Sequence, residues 1–234
     1  MGWAKGLAGV VVAASLGGCA TTPPGVPAMN ASLPDSHRLA DQPSGFASFC
    51  ERFADQCSAT PGGAAKIALN GQNWILLNAV NLKVNGDIWP EDDLKHYGRT
   101  EYWTVPTDGY GDCDDYAVTK RKDLLQAGLP AQTLRLAVVY SSASGRHAVL
   151  TVATDKGDFV LDNLTDEIRS WNATDYTWLE RQDSADPMRW VALSSGPYAG
   201  LQAESPAAAS NAPAGNALLQ DSAAPTASTG AASH

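Results

Sequence analysis

One cysteine in the middle of the chain, Cys113, carries an aspartate on one side and two on the other, in the run from Tyr110 to Pro130, YGDCDDYAVTKRKDLLQAGLP. A thiol attacks a carbonyl carbon as the thiolate, and a helix N-terminus with a histidine nearby favours that form. The run supplies the first condition. Asp112 suits an N-cap, Asp114 and Asp115 a first turn, and Gly128 with Pro130 a stop, so Cys113 stands one residue inside a helix. His147 and Asp162 offer the second: an imidazole to take the thiol proton and a carboxylate to hold its tautomer. Plainer readings compete at each position. A lone cysteine is often a small buried apolar residue, a strand-end histidine structural, and an aspartate before asparagine a turn former. The order helix-cysteine, strand-histidine, strand-aspartate is what favours chemistry.

Those three residues need elements to position them. The runs LRLAVVY (134–140), HAVLTVAT (147–154) and DFVLDN (158–163) are rich in β-branched and aromatic residues, and SSASGR and DKG separate them, so they predict an antiparallel meander. His147 then begins the second strand and Asp162 ends the third. Whether they pair directly or diagonally, both lie on one face. Upstream, Trp74, Leu77, Val80 and Val84 are spaced as one face of a helix over 72–84, which Asn85-Gly86 should end. Pro90 followed by acids and then Gly98 predicts a short helix. RTEYWTVPTDGYG reads as an aromatic loop, in which Trp103 is either a wall of the cleft or a packing residue. Trp171, Tyr176, Trp178 and Trp190 are expected to cover the sheet.

The other cysteines divide by context. Cys50 and Cys57 are most simply a disulfide, but one continuous helix would hold their Cα atoms about 10 Å apart, so a bond requires the chain to turn between them. In a single helix both would be buried thiols. A zinc site is the weaker reading, with no second cysteine or histidine pair close in sequence. Cys19 closes Leu16-Gly17-Gly18-Cys19 after an apolar run too short to span a membrane. That ending resembles a bacterial lipobox, in which residues 1–19 are the signal and Cys19 is lipidated; an ordinary signal peptide is the alternative. Ala20, by resemblance to bacterial sorting rules, points to the outer membrane. Residues 20–44 read as a flexible tether, 45–193 as the folded domain, and 194–234 as a disordered Ala/Ser/Pro-rich tail. With 25 acidic against 16 basic residues and no long basic run, the chain lacks the clustered cations that nucleic acid requires.

The blocks YGDCDDYAVTKRKDLLQAGLP, GRHAVLTVATDKGDFVLDN and VNGDIWPEDDLKHYGRTEYWTVP resemble the bacterial transglutaminase-like cysteine proteinases, which include the LapG-type periplasmic proteases. The resemblance runs from about Phe49 to Trp190. It implies an α+β, papain-like and transglutaminase-like core, with Cys113 as nucleophile, His147 as general base and Asp162 as orienting acid. It also implies calcium held by acids flanking the cysteine, here Asp112, Asp114 and Asp115, with Asp114 where many relatives carry glutamate. Three carboxylates would raise the pKa of the thiol, and a bound Ca²⁺ would reverse their field. Simple N-capping by Asp112, with its neighbours solvated, is the competing account. The implied activity is acyl transfer on a protein, possible partners being a large surface adhesin as substrate and an inner-membrane receptor as regulator. A transglutaminase or amidase, and a non-catalytic envelope-binding lipoprotein, are the alternatives.

Overall fold

The computed structural model describes residues 25–27, 29–36, 38–59 and 62–195. The expected signal, Cys19 and the expected tail beyond residue 195 lie outside the described residues. Among those described, no helix is long and apolar enough to cross a membrane.

The predicted meander forms the centre of a seven-stranded antiparallel sheet. Strands β4 (Leu134–Ser141), β5 (Gly145–Thr154) and β6 (Gly157–Leu161) pair in succession, Val138 opposite Ala148 and Thr151 opposite Val160. Beyond them lie β1 (Leu39–Ala40), β7 (Arg169–Ser170), β8 (Thr177–Gln182) and β9 (Trp190–Ser195), in the order β1-β9-β8-β4-β5-β6-β7. Trp178 and Trp190 therefore lie in the sheet instead of covering it from outside.

Period-two alternation divides the sheet into two faces. Val138, Ala148, Leu150, Val152 and Leu161 meet α1 (Phe46–Arg52), α3 (Gly71–Asp87) and α5 (Cys113–Gln126), through Phe46, Phe49, Leu77, Val84, Val118 and Leu124 among others. Ala137, Val139, Val149 and Val160 form the other face together with Trp178 of β8, and Leu33 and Tyr176 pack against it. Asn70 caps α3 by accepting from the N–H of Asn73. Asn85 and Gly86 continue that helix instead of ending it, because the Asn85 side chain is occupied elsewhere: it donates to the carbonyls of Asp162 and Thr165.

The segment expected to be a flexible tether is part of the fold in its described portion. Leu33 is buried on the second face, and its N–H donates to Asp158. Arg181 donates to Asp158 at 2.8 Å and to Asp35 at 2.6 Å, and Arg135 reaches Asp35 at 3.3 Å. The segment passes so close to the β5–β6 turn that a Cβ on Gly157 would sit 2.7 Å from the Asn30 carbonyl; the positive φ there suits glycine for a second reason. Composition misled here because one leucine and one aspartate, meeting groups already placed by the sheet, suffice to dock a segment poor in large apolar residues.

Candidate active site

The polypeptide turns sharply around the thiol. Strands β2 (Trp89–Pro90) and β3 (Tyr110–Gly111) pair in parallel, Trp89 opposite Tyr110. That pairing brings α4 (Asp93–Tyr97) beside the start of α5. Pro90 lies in β2 and the short helix starts after it: Asp92 caps α4, accepting from Leu94 N–H, and Gly98 ends it with positive φ. Asp112 is the N-cap of α5, and its N–H donates at 3.3 Å to Asp115, the reciprocal half of a capping box. Asp115 has room for this because residue 111 is glycine: a Cβ there would lie 2.5 Å from its carboxylate.

Cys113 is half-buried at the first helical position. The N–H of Ala148 donates to its Sγ at 3.4 Å, from the part of β5 that β6 does not reach. The thiol thus lies against the backbone of the residue next to His147. His147 is buried, and its Nε2–H donates to Asp162 Oδ1 at 2.8 Å, which assigns the ring proton because a carboxylate only accepts. The β5–β6 register, Leu150 opposite Leu161, makes this pair diagonal across the end of the two strands. Burial alone would push Asp162 up. The hydrogen bond and charge of His147, the Tyr176 hydroxyl and the Leu164 N–H together hold it below the ordinary carboxylate value.

The acids around the thiol are in the opposite condition. Asp112, Cys113 and Asp114 form one group of metal-ligating type, and Asp93, Asp112 and Asp115 a second, each with ligand atoms within 4.8 Å of one another. Burial, with Asp112 beside it, holds Asp114 well above the ordinary range; burial takes Asp115 up to about 8 despite the Thr104 N–H donating to it; and burial raises Asp93. Oδ1 of Asp93, Oδ1 of Asp112 and Oδ2 of Asp114 are buried without a partner. Unpaired buried carboxylate oxygens are costly, and hard oxygen ligands of this kind suit Ca²⁺. Asp114 and Asp115 are buried, not solvated as the capping account expected. Asp93 was missed because its first-turn position in PEDDLKHYG explains it fully until the β2–β3 pair is known. Burial, then Asp114, also push the Cys113 thiol up, against the Ala148 N–H.

Trp103 and the cysteine pair, each left with two readings by the sequence, take one of them here. Trp103 is buried, edge-on to Phe46 and Trp190, so it belongs to the core beneath the cleft and not to its wall. Cys50 and Cys57 are bridged, with Cα atoms 5.5 Å apart, because the chain breaks at Phe53 between α1 and α2 (Ala54–Cys57). Lys120 and Arg121, expected only as later helix residues, are buried: the Arg121 guanidinium donates to the carbonyls of Leu134 and Gln56. Burial pulls Lys120 down to about 7, against the charges of Asp162 and Asp166.

A family model described as bacterial transglutaminase-like cysteine proteinase BTLCP matches residues 36–197. The chain belongs to this family. It is accordingly a transglutaminase-like cysteine peptidase of α+β fold, the class expected from the Cys113, His147 and Asp162 blocks. Among solved structures, this family member is similar to Legionella pneumophila LapG, at 26% identity and a TM-score of 0.45, over 55% of this chain and 72% of that one. It is also similar to the calcium-bound form of LapG from the same organism, at 21% identity and a TM-score of 0.45, over 68% and 87% of the two chains. No curated protein matches it.

Proposed function

We propose that this peptidase cleaves a protein of the cell envelope by Cys-His-Asp acyl transfer, and that calcium supports the reaction. The observation that carries the reading is the juxtaposition of two contacts: His147 Nε2–H on Asp162, and Cys113 Sγ against the N–H of the next residue, Ala148. With Nε2 engaged, Nδ1 is the nitrogen left to take the thiol proton. The Cys113 thiolate then attacks a backbone carbonyl carbon, and the negative oxygen that develops is stabilised by the free N–H groups of the first turn of α5, that of Cys113 among them. His147 returns the proton to the departing amine as the C–N bond breaks, leaving a thioester on Sγ. Water, deprotonated by His147, attacks the thioester and releases the acid and the thiol.

Asp93, Asp112, Asp114 and Asp115 are the residues that would hold calcium, the first three by unpartnered oxygens and Asp115 by its place within 4.8 Å of Asp93 and Asp112. The bound cation supplies positive charge that offsets the acids raising the thiol. On the resemblance to LapG-type proteases, the substrate in this proposal is a large surface adhesin and the regulator an inner-membrane receptor. The enzyme would be held at the outer membrane through lipid on Cys19.

The test is iodoacetamide labelling of the full chain at neutral pH, read at the Cys113 peptide by mass spectrometry. Wild type with calcium should label fast at Cys113. His147→Ala should slow that labelling by about a hundredfold, within the range for losing a general base. Equal rates in the two proteins would overturn the reading, and equal rates in calcium and in chelator would remove calcium from it.

A further inference from the structure

The hydrogen bonding of Asp162 does not end at His147. Its second oxygen, Oδ2, accepts the hydroxyl of Tyr176 at 2.5 Å, while Oδ1 takes the Leu164 N–H at 3.0 Å beside the imidazole. Tyr176 immediately precedes β8, and in the sheet β8 is separated from β6 by β4 and β5. The residue therefore belongs to the segment that leads from β7 to β8, outside the β4–β6 meander, and its ring lies 6.0 Å from that of His147 and edge-on to it. It is buried with Val149, Val160 and Trp178, where an apolar ring would fill the same space. A buried hydroxyl is costly unless it has a partner, and here its partner is the one carboxylate that meets the imidazole.

We propose that Tyr176 is a positioning residue of the protease, fixing the plane of the Asp162 carboxylate so that His147 is held with Nδ1 towards the thiol. This rests on the Cys-His-Asp reading above. A carboxylate tied through Oδ1 alone can rotate about its Cβ–Cγ bond and carry the imidazole with it; tied through both oxygens, it cannot. Orientation of the base is what the third member of such a triad contributes, and a group that orients the orienter acts through it alone.

That dependence gives the test, a double-mutant cycle on the labelling rate of Cys113 in the full chain with calcium present. Tyr176→Phe should slow labelling roughly tenfold, the scale of one hydrogen bond to a charged group. In an Asp162→Ala background the same change should alter the rate less than twofold, because the group it acts through is gone. The imidazole Nε2–H of His147 supplies a second readout: its downfield proton resonance should exchange faster with water in Tyr176→Phe than in wild type. Equal slowing in both backgrounds, or an unchanged rate and resonance in Tyr176→Phe, would overturn the role of Tyr176. Unaltered labelling in Asp162→Ala alone would instead overturn the triad beneath it. Melting temperatures of all variants identify any that fail to fold, and for Tyr176→Phe a Tyr176→Leu variant then repeats the cycle.

Discussion

Two groups of acids, each with buried members, sit on this fold, and they are built differently. On the second face of the sheet, Asp35 and Asp158 meet the guanidiniums of Arg181 and Arg135. Burial opposes ionisation of Asp35, yet the two arginines hold it below its ordinary value. At the start of α5, Asp93, Asp112, Asp114 and Asp115 gather with no basic group among the causes of their shifts, and all the resolved ones go up. The first group is neutralised by its own chain and acts as a clamp. The second lacks its counter-charge, the condition expected where an external cation completes the structure.

The largest effect should come from breaking the clamp. Arg181→Ala leaves Asp158 buried beside only the more distant Arg135, and should lower unfolding free energy by about 3–5 kcal/mol in a denaturant titration. Calcium should not restore it, since the cation acts at the other group. The second effect separates the groups by pH. A carboxyl raised on folding holds a proton that the unfolded chain has released, so metal-free protein should lose stability as pH rises from about 4 towards the value of about 8 for Asp115. Calcium in hundredfold excess over its Kd should remove that slope and add about 2.7 kcal/mol near neutral pH. Scanning calorimetry with calcium and with chelator would show both; a melting temperature indifferent to calcium at every pH would erase the contrast between the two groups. The smallest effect concerns Lys120. A lysine pulled down to about 7 releases its proton on folding, so between that pH and its ordinary value of 10.5 the unfolded chain binds more protons and stability rises with pH. Lys120→Met should flatten that rise relative to wild type in pH-dependent melting.

Much of the site could be read in advance because its signals are local. The cap and stop of α5 lie within one stretch of chain, and β-branched runs with turn residues between them fix the β4–β6 meander and so the shared face of His147 and Asp162. What could not be read depends on pairings made at a distance. Asp93 joins Asp112 through the parallel β2–β3 bridge, and Tyr176 reaches Asp162 from the segment between β7 and β8. Asp35 finds arginines that look solvent-exposed in sequence. Lys120 and Arg121 sat among charged neighbours, and no periodicity marks a cation whose burial is set by α3 and the sheet packing around it.

Pairing of β1 with β9, Leu39 opposite Val191, joins nearly the first described strand residues to nearly the last. Contacts between such remote positions carry the largest loop-closure cost and form late. In a chain that emerges N-terminus first, Cys113, His147 and Asp162 are all present before β9 exists. These three residues can therefore be brought together while the sheet edge is still open, and the β1–β9 rung that closes it touches none of them.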